Sequence, residues 1–152
     1  MARFPEKLRK WRRLEAWERS TLTLAVLWWL PVAGLLLGIV GYRRAHTLMA
    51  RISTPLTRCS LPTNWQPSAY AQRCAALVAV ASCNGLYQAR CLPRALALQS
   101  VLARRGLAAQ VRIGIVPGTE PLQAHAWVDF EGCALGEGDI GEYKQFAELV
   151  QP

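Results

Sequence analysis

CLPRALALQSVLARRGL, residues 91–107, set beside AHAWVDF, residues 124–130, decides how the rest of the chain is read. Leu92, Ala95, Leu96, Leu102 and Ala103 recur at helical spacing, and Pro93 falls in the first turn, where a missing N–H costs no hydrogen bond. A helix therefore begins at or beside Cys91. Arg104 and Arg105 suit the negative end of its dipole, and Gly106 can close it in the left-handed conformation. A thiol at such an N-terminus sits among unpaired backbone N–H groups at the positive end of the dipole. Both favour the thiolate, and the same N–H groups can hold an oxyanion.

A cysteine nucleophile needs a base, and the only histidines are His46 and His125. His46 lies in the basic run GYRRAHTLMAR and reads as a solvated or membrane-surface side chain. His125 follows the turn signal PGTEP and opens an alternating stretch, so it belongs on a strand. Ala124, Ala126, Val128 and Phe130 take one face of that strand, and His125, Trp127 and Asp129 take the other. A cysteine on a helix N-terminus and a histidine on a neighbouring strand form the arrangement of Cys–His acyl-transfer sites. Trp127 reads as a core aromatic or a lid on the imidazole, and Gln99 as a polar edge group. Arg94, beside the thiol, reads either as a partner for a thiolate or substrate carboxylate or as a surface arginine.

A third group normally fixes the imidazole tautomer. The hairpin after Phe130 leaves three registers open. A two-residue loop at Glu131-Gly132 pairs Phe130 with Cys133 and sets Gly138 across from His125. A three-residue loop at 131–133 sets Asp139 there, and one at 130–132 sets Glu137. Asp129 shares the His125 face on its own strand.

The block C-L-P-R-A-L-A-L-Q-x-x-L-x-R-R-G, then the strand V-R-I-G-I, then A-H-A-W-V, resembles the transglutaminase-like cysteine peptidases of lasso peptide biosynthesis. These are the B-type proteins that remove the leader from a lasso precursor. The resemblance is close over residues 70–140. It implies a Cys91–His125–acid triad with the acid on the strand after the histidine, which ranks Asp139 before Glu137 and Asp129. GEGDI departs from the Asn-Asp-rich sequence common in that family at this point. The resemblance further implies a lasso precursor as substrate, a separate leader-recognition protein that presents the leader, and an ATP-dependent lasso cyclase acting next. The same triad would serve a transglutaminase-type acyltransferase or deamidase. A non-enzymatic membrane-anchored scaffold is the reading without chemistry.

Around this centre, the expected fold is α+β, with helices packed on a small antiparallel sheet in a papain-like, transglutaminase-like core. Helix is expected over 69–87, strand over 110–116, a return strand over 124–131, and a short helix over 142–150. Residues 59–152 would form the peptidase domain, and 53–68, rich in proline, a linker.

Residues 1–58 read as a separate basic and apolar helical segment. The chain has 152 residues, 52% hydrophobic and 18% charged, with a net charge of +8. All of that excess lies in 1–58; the remainder is balanced. Thr21–Val40 runs 20 residues without a charge, long enough for a membrane span. Pro31 and Gly34 are expected to interrupt it. Both flanks are basic, so the positive-inside rule assigns no orientation to a single crossing. A segment lying in the cytoplasmic membrane interface, a helix pair buried on the catalytic domain, and a span all remain open. The expected location is the cytoplasm, with association to the inner face of the cell membrane. Nothing resembling a base-reading or stacking module accompanies the basic residues, so nucleic acid is not an expected partner.

Five cysteines without a cleavable signal argue for a reducing compartment. Cys74 and Cys133 read as small buried hydrophobes. Neither C-x-x-C nor H-E-x-x-H spacing occurs, and no metal or cofactor is expected.

Overall fold

A computed structural model describes residues 16–53, 66–84, 89–136, 140–141 and 143–145. Helix α1 covers Ala16–Ile52, α2 Pro67–Asn84 and α3 Cys91–Ala103. Strands β1 (Gln110–Val116), β2 (Gln123–Phe130), β3 (Cys133–Ala134) and β4 (Lys144–Gln145) form one antiparallel sheet in the order β3-β2-β1-β4. The α+β expectation holds: helices pack on a small antiparallel sheet.

Helix α3 is the hub. Leu96, Ala97 and Leu102 are wholly excluded from solvent, because α1, α2 and β2 each cover part of its surface. The helix ends as its sequence dictates. Gly106 takes φ 74°, its N–H donates to the Ala103 carbonyl, and the Leu107 N–H donates to the Leu102 carbonyl. This is a Schellman closure, with buried Leu107 as its apolar contact. Arg104 and Arg105 do more than meet the dipole. Their guanidinium groups lie 5.8 Å from the Trp29 ring and 5.7 Å from the Tyr70 ring, tying the end of α3 to α1 and α2.

Helix α1 corrects one expectation. It continues through Pro31, and its break comes at Gly41, where φ 74° and ψ 173° are open to glycine and strained for other residues. It is also neither wholly buried nor free. Val26, Trp29, Leu30 and Ala33, at helical spacing, form a buried stripe in the common core. Trp28, Leu35 and Ile39, on the other side, are exposed.

The sheet packs its inner face, Val111, Ala126, Val128 and Phe130, on the helices. The Gln99 side-chain amide donates to the Ala109 carbonyl at 3.0 Å and ties α3 to the start of β1. At the other end of the sheet, the expected terminal helix is replaced at Lys144–Gln145 by β4, which pairs with Gly114 and Ile115. The rest of that expectation, and residues 54–65 of the expected 53–68 linker, lie outside the described residues; Pro67 and Ser68, expected in the linker, open α2 instead.

Candidate active site

Cys91 is the first residue of α3. Arg90 is the N-cap, in extended backbone, and its side chain makes no capping bond. The first helical bond runs from the Arg94 N–H to the Arg90 carbonyl at 3.2 Å. A helix leaves its first N–H groups without intrahelical partners, and Cys91 and Leu92 hold that position here. The thiol is free and half-buried. It lines a cleft of about 20 Å³ with Arg94 of the same helix, Ala75 and Val78 of α2, Ala126 and Val128 of β2, and Leu135 beyond the hairpin. That volume holds about one water-sized group. The Arg94 Nε is buried without a hydrogen-bond partner among the described residues, so the arginine is part of the cleft wall rather than a surface charge.

His125 is on β2, next to Ala126, Trp127 and Val128 of the cleft lining, and is not itself among the residues that line the cleft. Strand alternation gives it the face shared with Trp127. The two rings lie 6.3 Å apart with an interplanar angle of 18°, and Tyr143 sits 5.5 Å from His125 and 6.2 Å from Trp127. Trp127 is 1% exposed, so it is a core aromatic that also flanks the imidazole. Its ring lies over Gly114. A Cβ on residue 114 would stand 2.9 Å from the Trp127 Cη2 and 3.0 Å from the Lys144 carbonyl oxygen. Gly114 pairs directly with His125 in the ladder. Gly114 and Tyr143 were missed in the sequence. A glycine inside an alternating strand was the available signal for the first, since it often marks close approach by another group. For Tyr143 there was none.

The hairpin register differs from the one expected to set Asp139 across from His125. Phe130 pairs with Cys133 and Asp129 with Ala134, so the loop has two residues, Glu131 and Gly132. Both have positive φ, 54° and 78°, as a type I′ turn requires. The three-residue loop that would set Asp139 opposite His125 does not form. Asp139 and Glu137 themselves lie outside the described residues. Asp129 is occupied in the turn: its Oδ1 accepts from the Gly132 N–H at 3.1 Å. It lies four positions along the strand from His125, about 13 Å.

The other histidine, His46, is half-buried in α1, with its ring 5.8 Å from Tyr42. Cys74 is fully buried, and burial pushes its thiol up to about 12. Cys133, expected to be buried, is exposed in the hairpin, and Cys83 is exposed at the end of α2. Cys59 lies outside the described residues.

Residues 35–151 match the transglutaminase-like superfamily, which is most of the chain. The chain belongs to that superfamily. No curated protein and no solved structure matches it significantly. Transglutaminase-like membership points to an activity of cysteine-peptidase or acyltransferase type. Chemistry of that type needs a thiol able to attack a carbonyl and donors for the oxyanion, and a helix start is a place that offers both.

Proposed function

We propose that this protein is a cysteine peptidase that removes the leader from a ribosomally made lasso peptide precursor. The observation that carries the reading is the placement of Cys91: a free, half-buried thiol at the start of an enclosed helix whose N-cap residue makes no side-chain capping bond, lining a cleft with residues of β2. Membership of a superfamily that includes cysteine peptidases supports it, as does the resemblance of the Cys91 and His125 blocks to the lasso B-type peptidases.

In this reading the Cys91 thiolate attacks the carbonyl of the bond between leader and core, and His125 protonates the leaving amine. The acyl-enzyme forms on Sγ with the leader. Water, deprotonated by His125, then releases the leader as a carboxylate and restores the thiol. Asp139 orients His125, on the strength of the family pattern alone. A separate leader-recognition protein presents the precursor, and a cyclase consumes the freed core amine. The work takes place in the cytoplasm, at the inner face of the cell membrane.

The test is incubation of the full chain with a lasso precursor and its leader-recognition protein, read by mass spectrometry. Cys91→Ala should abolish cleavage without unfolding the chain. His125→Ala should slow it at least ~100-fold, the lower end of general acid–base contributions, and His46→Ala should leave it intact. Cleavage by well-folded Cys91→Ala would overturn the proposal. A leader-amine adduct in place of the free acid would transfer the site to the acyltransferase class.

A further inference from the structure

From Thr21 to Val40 the first limb of α1 carries no charge on any side, and such a helix is stable only when every side is covered. Its inner stripe is covered by α3 and the common core. Its outer stripe is not. Trp28 is 69% exposed, Leu35 64% and Ile39 71%, and their spacing sets them along one side of the helix. Beyond Gly41 the second limb repeats the division. Ala45 and Met49 are buried, whereas Leu48 and Ile52 are exposed, with exposed Arg43, Arg44 and Arg51 around them.

The charge pattern selects what covers this face. From Arg19 to Thr119 the chain has eleven arginines and neither an aspartate nor a glutamate. A neutral apolar partner would offer no opposite charge to Arg43 and Arg44, exposed beside this face. Nucleic acid would match them and leave Trp28, Leu35 and Ile39 in water. An anionic lipid surface satisfies both at once.

We infer that α1 is an in-plane membrane-docking helix. Trp28, Leu35, Ile39, Leu48 and Ile52 enter the boundary between headgroups and acyl chains, and Arg43, Arg44 and Arg51 meet anionic headgroups. This deepens the placement at the inner membrane given above and is independent of the peptidase reading. Val26–Ile52 is long and apolar enough to cross a bilayer. Crossing would nonetheless strip Val26, Trp29, Leu30 and Ala33 from the core and uncover α3, which lying in the plane does not.

Flotation of the full chain with phosphatidylglycerol-containing and pure phosphatidylcholine vesicles, at low and high salt, tests this. The chain should float with the anionic vesicles and lose affinity in high salt. Arg43→Gln, Arg44→Gln and Arg51→Gln should each weaken binding about fivefold, and together on the order of a hundredfold. The combined Trp28→Gln, Leu35→Gln, Ile39→Gln variant should keep its circular dichroism and no longer float. Should that variant fail to fold, the arginine series decides.

Failure to float, equal binding to neutral vesicles, or normal flotation of a folded outer-face variant would overturn the inference. So would a lipid-free dimer dissolved by the outer-face substitutions, which would make a second copy the occupant. In cells, alkaline carbonate should release the chain from membranes. Retention would establish a crossing and discard only the in-plane geometry. Absence from the membrane fraction would discard the membrane placement as well.

Discussion

Replacing Gly114 with alanine probes the group of rings around His125 without touching any of them. The new methyl carbon would stand 2.9 Å from the Trp127 Cη2, 3.1 Å from its Cζ3 and 3.0 Å from the Lys144 carbonyl oxygen. None of these can yield freely: the indole is 1% exposed and flanked by His125 and Tyr143, and the carbonyl belongs to the β4 backbone. Overpacking of this kind costs ~1–3 kcal/mol. The reduced freedom of the unfolded chain returns ~0.4–1 kcal/mol. The expected net loss is about 1–2 kcal/mol, or roughly 0.5–1 M in the urea midpoint for a slope of about 2 kcal/mol per M. Turnover should fall further than stability, because a shifted indole tilts the imidazole beside it, and a displacement of ~1 Å can cost ~100-fold in rate. Gly38→Ala is the control. Residue 38 is an exposed helix position with nothing within 4 Å of its would-be Cβ, so alanine there should stabilise by ~0.5–1 kcal/mol. Equilibrium urea unfolding and precursor cleavage measure both variants. Gly114→Ala with parental stability and turnover would refute the claim that this glycine makes room for Trp127 and thereby positions His125.

Two further outcomes concern the thiols and the acids. Burial raises the Cys74 thiol to about 12, above its unfolded value near 8.5. Its contribution to stability is therefore full below about pH 8.5 and is lost as the pH climbs toward 12. Cys74→Ala should flatten that alkaline loss in denaturant titrations, and native alkylation mapped by mass spectrometry should spare Cys74 while labelling exposed Cys83 and Cys133. Asp129→Asn should cost at most ~1 kcal/mol through its turn bond to Gly132 and leave turnover unchanged, whereas Asp139→Asn should lower turnover. The reverse order would move the third triad member onto the His strand.

What the sequence showed and what it hid follow from how locally each feature is determined. Helix α3 was legible because its start and end are set by single residues, Pro93 and Gly106, whose backbones have few alternatives. The His125 strand was legible because one face is buried and alternation records it. The hairpin register was not. Type I′ turns favour Asn, Asp or Gly at the first loop position, and here Glu131 takes φ 54°. Gly132 alone fits three loops. Pro31 misled for a different reason: its local penalty is outweighed by the packing of Val26, Trp29, Leu30 and Ala33, whose partners on α3 lie far away in sequence. The two residues of β4 are too few to carry a period.

Helix α1 was illegible in a more basic sense, and that connects the two proposals. An all-round apolar helix has no pattern to say which side meets protein and which meets lipid, so composition alone leaves burial, interface and span equally open. The packing on α3 breaks that symmetry. The inner stripe becomes part of the core that encloses the Cys91 helix, and Trp29 is fixed under Arg104 at its far end. The cleft at the near end is lined by α2, α3, β2 and the segment after β3, with no residue of α1 among those described. Lipid on the outer stripe therefore covers neither Cys91 nor the strand facing it, while it shields the helix on which α3 rests. On the docking inference, a membrane-bound α1 that doubles as a core wall would hold the Cys91 helix at a fixed depth relative to the surface, and that would be a physical reason for the docking face and the thiol to share one core.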